Sequence, residues 1–92
     1  MLDLISIIIP VYKAEKNDFL RCINSCLKQT YNNIEILIVE NGKDENMNHI
    51  LDEVITLDER IKVFHNDKKG VVHARNYGIQ VSNGEWICFL DA

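Results

Sequence analysis

Leu4-Ile5-Ser6-Ile7-Ile8-Ile9-Pro10-Val11 is an almost unbroken run of Ile and Val, and its reading decides the fold. Strict alternation of apolar and polar residues would mark a half-buried strand, whereas a continuous β-branched run marks one covered on both faces. Proline cannot donate to a sheet ladder, so Pro10 places the carboxyl end of this strand. The run is far short of the ~20 apolar residues that cross a bilayer, and no basic region or small-residue cleavage site accompanies it. It is a strand, not a signal.

Working outward, strands and helices alternate. Asn17 or Asp18 can cap a first helix, on which Phe19, Leu20, Ile23, Cys26 and Leu27 recur at three- and four-residue steps. Ile34–Val39 reads as a second strand, ended by an Asn41-Gly42 turn. A second helix gathers Met47, Ile50, Leu51, Val54 and Ile55 on one side, and Ile61–Phe64 is a third strand. The polar loop Asn66–Gly70 leads to a third helix with Val71, Ala74, Gly78 and Val81 inward, closed by an Asn83-Gly84 cap. Trp86–Leu90 is a fourth strand.

The order β-α-β-α-β-α-β predicts an α/β fold, a parallel Rossmann-like sheet with helices on both faces. Right-handed crossovers bring every strand's carboxyl end to one edge, and ligands of such sheets bind there, where strand order reverses. The segments to watch are therefore Pro10–Glu15, Glu40–Asp44, Asn66–Arg75 and Asp91.

Composition narrows the function. With 92 residues the chain makes one small domain at most. A net charge of −4 with no basic run argues against a nucleic-acid surface. Cys22, Cys26 and Cys88 are an odd number without disulfide spacing, which fits a reducing, cytoplasmic compartment and small buried side chains. His49 and His65 have no metal-ligand spacing, and His73 lies on the third helix near the phosphate side.

The first strand is not followed by G-x-G-x-x-G or by G-x-x-x-x-G-K-[ST], which removes the usual dinucleotide and P-loop sites. It ends in Pro10-Val11-Tyr12, a stiff backbone followed by an aromatic ring, a platform suited to a flat base. Asn41 can accept a hydrogen bond from a uracil-like imide, or tie up its own Asn-Gly turn. Asp91, at the end of the fourth strand, is placed to hold a divalent cation beside a diphosphate, or to start a turn.

Joined in order, the segments are more specific than any one alone. Ile5–Tyr12, Ser25-Cys26-Leu27-Lys28-Gln29-Thr30-Tyr31, Ile34–Gly42, Gly70-Val71-Val72-His73-Ala74-Arg75-Asn76-Tyr77-Gly78 and Gly84–Ala92 together resemble the family-2 glycosyltransferases of the GT-A fold. The resemblance runs from about Ile5 to Ala92. It implies an inverting transfer of a sugar from a nucleotide-diphosphate donor, a UDP-sugar by preference, to a hydroxyl of a saccharide or lipid-linked acceptor, as in surface polysaccharide or glycoconjugate synthesis.

Carried over residue by residue, the resemblance puts Pro10, Val11 and Tyr12 around the base and ribose, with Tyr12 as the stacking face. Glu15 matches an acidic position reaching the ribose or base, and Asn41 falls where relatives carry the Asp that reads the base edge. Arg75 matches the arginine of the A-R-N motif, facing nucleotide or diphosphate, with an ion pair to Asp91 or Glu40 as its competing use. Lys68 stands where relatives often carry Asn. Asp91 matches the first acid of the D-x-D motif, which holds Mg2+ or Mn2+ in these enzymes.

Because Ala92 follows Asp91, the second acid of that motif is not in the sequence, and the resemblance puts the general base further downstream. The expectation is the nucleotide-sugar-binding part, residues 1–92, of a GT-A domain truncated within D-x-D and inactive by itself, from a cytoplasmic protein whose full length would work at the cytoplasmic membrane face. Two other readings stay open: a non-catalytic nucleotide-binding module, and a β/α unit that pairs with a second copy through an exposed Trp86–Leu90 edge.

Overall fold

The Ile-rich run forms one of the two inner strands of a four-stranded parallel sheet. A computed structural model describes residues 2–91, which fold as β1 (Ile5–Val11), α1 (Lys16–Leu27), β2 (Ile34–Asn41), α2 (Glu45–Val54), β3 (Ile61–Asn66), α3 (Val71–Val81) and β4 (Trp86–Phe89). Strand order is β3-β2-β1-β4. The chain steps outward from β1 to β3, then returns to place β4 on the other side of β1. The order therefore reverses between β1 and β4, whose carboxyl ends carry Pro10–Tyr12 and Asp91.

Both faces of β1 and β2 are covered, which is why their sequences are continuously apolar. Ile7, Ile9, Val11, Ile36 and Ile38 pack with Phe19, Ile23 and Cys26 of α1 and with Met47, Leu51 and Val54 of α2. Ile8, Leu37 and Val39 point the other way, onto Ala74 of α3. Each such aliphatic side chain withdrawn from water contributes about 1.5–3 kcal/mol. Gly78 lets α3 approach closely, because a Cβ there would fall 2.5 Å from Ile8 Cγ2.

One buried carboxylate joins the two ends of this arrangement. Glu35 accepts hydrogen bonds from Ser6 Oγ at 2.6 Å, from the Asn83 backbone N–H at 2.7 Å and from the Asn83 amide and Lys62 Nζ, each at 3.3 Å. Burial works to raise the Glu35 pKa, but the donors from Ser6, Asn83 and Lys62 outweigh it and hold the carboxyl below its usual value. The network pins the α3–β4 connection to the centre of the sheet and so fixes the start of β4.

Several local expectations are corrected. Glu15, not Asn17 or Asp18, caps α1, its Oε2 accepting from the Asp18 N–H at 2.7 Å. Ile55 lies beyond α2 and is exposed, and Val71, in the first turn of α3, is exposed as well. Ser82 is the C-cap of α3, and Gly84 has no positive φ. Gly84 is needed for a different reason: a Cβ would lie 2.5 Å from Ser6 Oγ and 2.7 Å from the Ser6 nitrogen. Strands β2 and β3 each run two residues further than their apolar content suggested, whereas β4 stops at Phe89.

All four residues of β4 are exposed, with Trp86 63% and Phe89 43% accessible. The apolar run of β4 thus resembles that of β1 in sequence but lies at the sheet margin, paired only to β1 among the described strands.

Candidate functional site

Three loops meet at the carboxyl edge around Tyr12. Pro10 and Val11 are buried at the end of β1, so they deliver the Tyr12 ring at a fixed height above the sheet. Gly42 packs beneath the ring with φ +123°, a conformation that disfavours side chains, and a Cβ there would stand 3.1 Å from two ring carbons. Lys69 closes the group from the β3–α3 loop, its Cγ 3.7 Å from that same Cβ position. The ammonium groups of Lys13 and Lys69 lie 5.3 and 5.9 Å from the ring centroid, within cation–π range. Tyr12 is thus a platform already attended by two cations, which sequence reasoning did not show because the lysines come from loops 56 positions apart.

At the end of β2, Glu40 and Asn41 turn to opposite faces. Glu40 is fully buried, its Oε1 2.6 Å from His65 Nδ1. With the Asn48 amide oriented to satisfy the network, its nitrogen donates to both Glu40 oxygens at 2.9 and 3.0 Å. Glu40 is therefore spent on tying β2 to β3 and α2, and His65 has a structural use. Asn41 differs: its Oδ1 is buried and has no hydrogen-bond partner among the described residues. Its side chain does not tie up the Asn41-Gly42 turn, since the Gly42 N–H goes instead to the Asn66 carbonyl at 3.1 Å.

Arg75 and Asp91 come together across the β1–β4 reversal. Arg75 Nη2 lies 3.1 Å from Asp91 Oδ1, and the guanidinium rests 5.5 Å from the Phe89 ring centroid. Of the two competing partners expected for Arg75, Asp91 is the one engaged. Arg75 Nε is buried without an acceptor among the described residues. An unmade hydrogen bond of this kind costs about 1–3 kcal/mol, so the orphaned atoms of Asn41 and Arg75 single out these two residues of the edge as candidates for ligand contact.

Glu15 stands in the β1–α1 loop, with one carboxylate oxygen committed to the α1 cap. At the start of α3, Gly70 adopts φ +111° and supplies no capping side chain, leaving the positive helix end open at the same edge. For a divalent cation the described residues offer too little. Asp91 is 74% exposed and faces a guanidinium, and no group of three His, Cys, Asp or Glu side chains is assembled among the described residues. One carboxylate falls short of the six or so oxygen ligands that Mg2+ or Mn2+ takes.

An open concavity at the opposite edge, lined by Asn32, Asp58, Glu59 and Arg60, is chemically satisfied already. Arg60 forks onto both Asp58 oxygens at 2.9 and 3.1 Å and donates to the Asn32 carbonyl at 3.0 Å.

Comparison with known proteins gives the edge a context. The family described as "Glycosyl transferase family 2" matches residues 6–92. Glycosyltransferase GlyG of Streptococcus pneumoniae serotype 4 is 40% identical over 93 residues, covering 100% of this chain and 31% of GlyG. The glycosyltransferase EpsJ of Bacillus subtilis is 39% identical over 92 residues, which are 99% of this chain and 26% of EpsJ. This chain thus spans about a third or less of the length of these two curated relatives. Among solved structures, the mannosyltransferase PcManGT of Pyrobaculum calidifontis, in complex with GDP-Man and Mn2+, superposes with a TM-score of 0.82 at 16% identity over 95% of this chain and 26% of that one. Residues 1–349 of S. aureus TarS give a TM-score of 0.76 at 22% identity, with the same coverage. Both likenesses concern the fold, which is the GT-A type.

Proposed function

This chain belongs to glycosyl transferase family 2, and on that footing we propose that its carboxyl edge binds the nucleoside diphosphate of a nucleotide-sugar donor. The observation that carries the reading is the pair of orphaned polar atoms, Asn41 Oδ1 and Arg75 Nε, on two residues of one sheet edge. Asn41 supplies an acceptor for a base imide, with uracil preferred over purines. Tyr12 supplies the stacking face beside Pro10 and Val11, and Glu15 keeps one oxygen for the ribose. The Arg75 fork takes phosphate once it leaves Asp91.

The whole protein, on this reading, is an inverting transferase acting on a hydroxyl of a saccharide or lipid-linked acceptor, in polysaccharide or glycoconjugate synthesis at the cytoplasmic side of the membrane. Mg2+ or Mn2+ would stabilise charge on the departing diphosphate of that protein. Asp91 would supply one ligand for it. What the chain's own residues do is bind and orient: Tyr12 and Asn41 hold the base, and Arg75 exchanges one anion, Asp91, for another.

Calorimetric titration of UDP, GDP and ADP tests the proposal. UDP should bind in preference to both purine nucleotides, and Asn41→Ala should erase that preference. Equal affinity for all three, unaltered by Asn41→Ala, would exclude base reading at this edge.

A further inference from the structure

Charge at the carboxyl edge is segregated in a way the overall balance of −4 conceals. The three loops there carry Lys13, Lys43, Lys68 and Lys69, together with Glu15, Asp44 and Asp67. Two of the acids are turned into helix caps: Glu15 accepts from the Asp18 N–H and Asp44 accepts from the Met47 N–H at 2.9 Å. Lys13 reaches only the outer limit of an ion pair, 4.0 Å from Asp44, with its side chain 65% exposed. Lys43, Lys68 and Lys69 form no ion pair with any carboxylate of the described residues. Two of the three acids are thus engaged locally, Asp67 being the exception, while the ammonium groups remain available.

Two of those groups converge instead of spreading. Lys13 follows β1 and Lys69 follows β3, yet both ammonium groups stand within cation–π range of the single ring of Tyr12. Such a contact at an exposed site is weaker than a charge-assisted hydrogen bond to phosphate. A flat base arriving on the ring therefore has a weak competitor to displace. The displaced ammonium groups, on flexible four-carbon stems, then find the phosphates that the same ligand brings.

We propose that Lys13 and Lys69 form a phosphate clamp around Tyr12 that receives the donor diphosphate as the base takes their place on the ring. The clamp rests on reading this edge as a nucleoside-diphosphate site and names two of its binding residues. It supplies positive charge from the protein itself, where Asp91 and Arg75 are neutralising one another. A compact polyphosphate suits two cations converging on one ring better than the flat array of a lipid surface does.

The test is calorimetric titration of the 92-residue chain with inorganic pyrophosphate and, separately, with uridine. Wild type should bind pyrophosphate, with affinity falling as salt is raised. The exposed double substitution Lys13→Met/Lys69→Met should weaken that binding about tenfold or more, Lys13→Arg/Lys69→Arg should restore it, and Lys28→Met should leave it unchanged. Uridine binding should not weaken in the Met pair. If circular dichroism shows the Met pair misfolded, the single variants Lys13→Gln and Lys69→Gln are read instead, each expected to weaken pyrophosphate binding. Pyrophosphate bound equally by wild type and the variants overturns the clamp, as does no pyrophosphate binding by wild type. Vesicles containing phosphatidylserine captured through these lysines without competition from pyrophosphate also overturn it. Loss of uridine and UDP discrimination with pyrophosphate binding intact would instead overturn the base-reading proposal and leave the clamp standing.

Discussion

Arg75 and Asp91 are joined at 3.1 Å across the gap between α3 and the end of β4, with the guanidinium lying on Phe89. The pair closes the place where strand order reverses, between two residues that a nucleotide and a cation would each claim. On the proposed reading of this edge, nucleotide binding opens the pair.

Arg75→Ala should therefore weaken metal-free UDP binding by about 1.5–3 kcal/mol, the range for a hydrogen bond to a charged group. Asp91→Asn should leave metal-free binding intact or tighten it, because it releases the guanidinium from a competing anion. Calorimetry on the two variants checks both. Weakening by Asp91→Asn without metal would show that Asp91 holds the nucleotide by another route.

Acid stability should be governed in part by Glu35. Its folded pKa is depressed below 4.5, so its contribution is fully present above that unfolded value and is lost as pH falls through the lower folded one. Glu35→Gln should destabilise the chain near neutral pH by about 1–3 kcal/mol, the cost of breaking a buried carboxylate's hydrogen bonds. It should also flatten the fall in stability below about pH 4.5, which the unfolded reference value sets. Urea unfolding from pH 3 to pH 7 reads both effects; parallel acid limbs for the two proteins would contradict this account.

Gly78→Ala should destabilise by about 1–3 kcal/mol, since the new methyl meets Ile8 in a core that cannot relax freely. Val72→Ala, on the exposed side of the same helix, should change stability by less than about 0.5 kcal/mol. Urea midpoints of the two variants make the comparison. A Gly78→Ala protein as stable as the parent would mean that the α3–β1 approach is looser than described.

The exposed β4 edge makes a further claim testable. If two copies join through Ile87 and Phe89, apparent mass by light scattering should rise with concentration, and Ile87→Lys should hold the chain monomeric. A monomer at every concentration would exclude that pairing.

How far the sequence alone led is clearest from particular residues. The continuous Ile content of Ile5–Val11 and Ile34–Val39 was enough to call for a doubly covered parallel sheet, and Ile8 and Ile9 are indeed fully buried on opposite faces. Trp86–Phe89 carries the same kind of apolar run yet is exposed, because periodicity reports what a strand can cover and not what lies beside it. Glycine was legible in kind but not in cause: Gly84 reads as a helix stop and serves as a point of close approach to Ser6. At the edge, Tyr12, Asn41, Arg75 and Asp91 were visible as residue types at strand and helix ends. The lysines on Tyr12 and the Glu40–His65–Asn48 contacts were not, because only the folded sheet brings those side chains together. Glu15 carries a local signal of its capping role, an acid three residues before Asp18 at a helix start.

The most direct test of the central claim is a titration of UDP into the 15N-labelled 92-residue chain, followed by amide NMR. The account predicts saturable shifts concentrated at Val11, Tyr12, Asn41, Gly42, Lys69 and Arg75, with the amino-terminal edge around Asn32 and Arg60 unmoved. Shifts confined to Asn32, Asp58 and Arg60, or none at all at millimolar UDP, would contradict it.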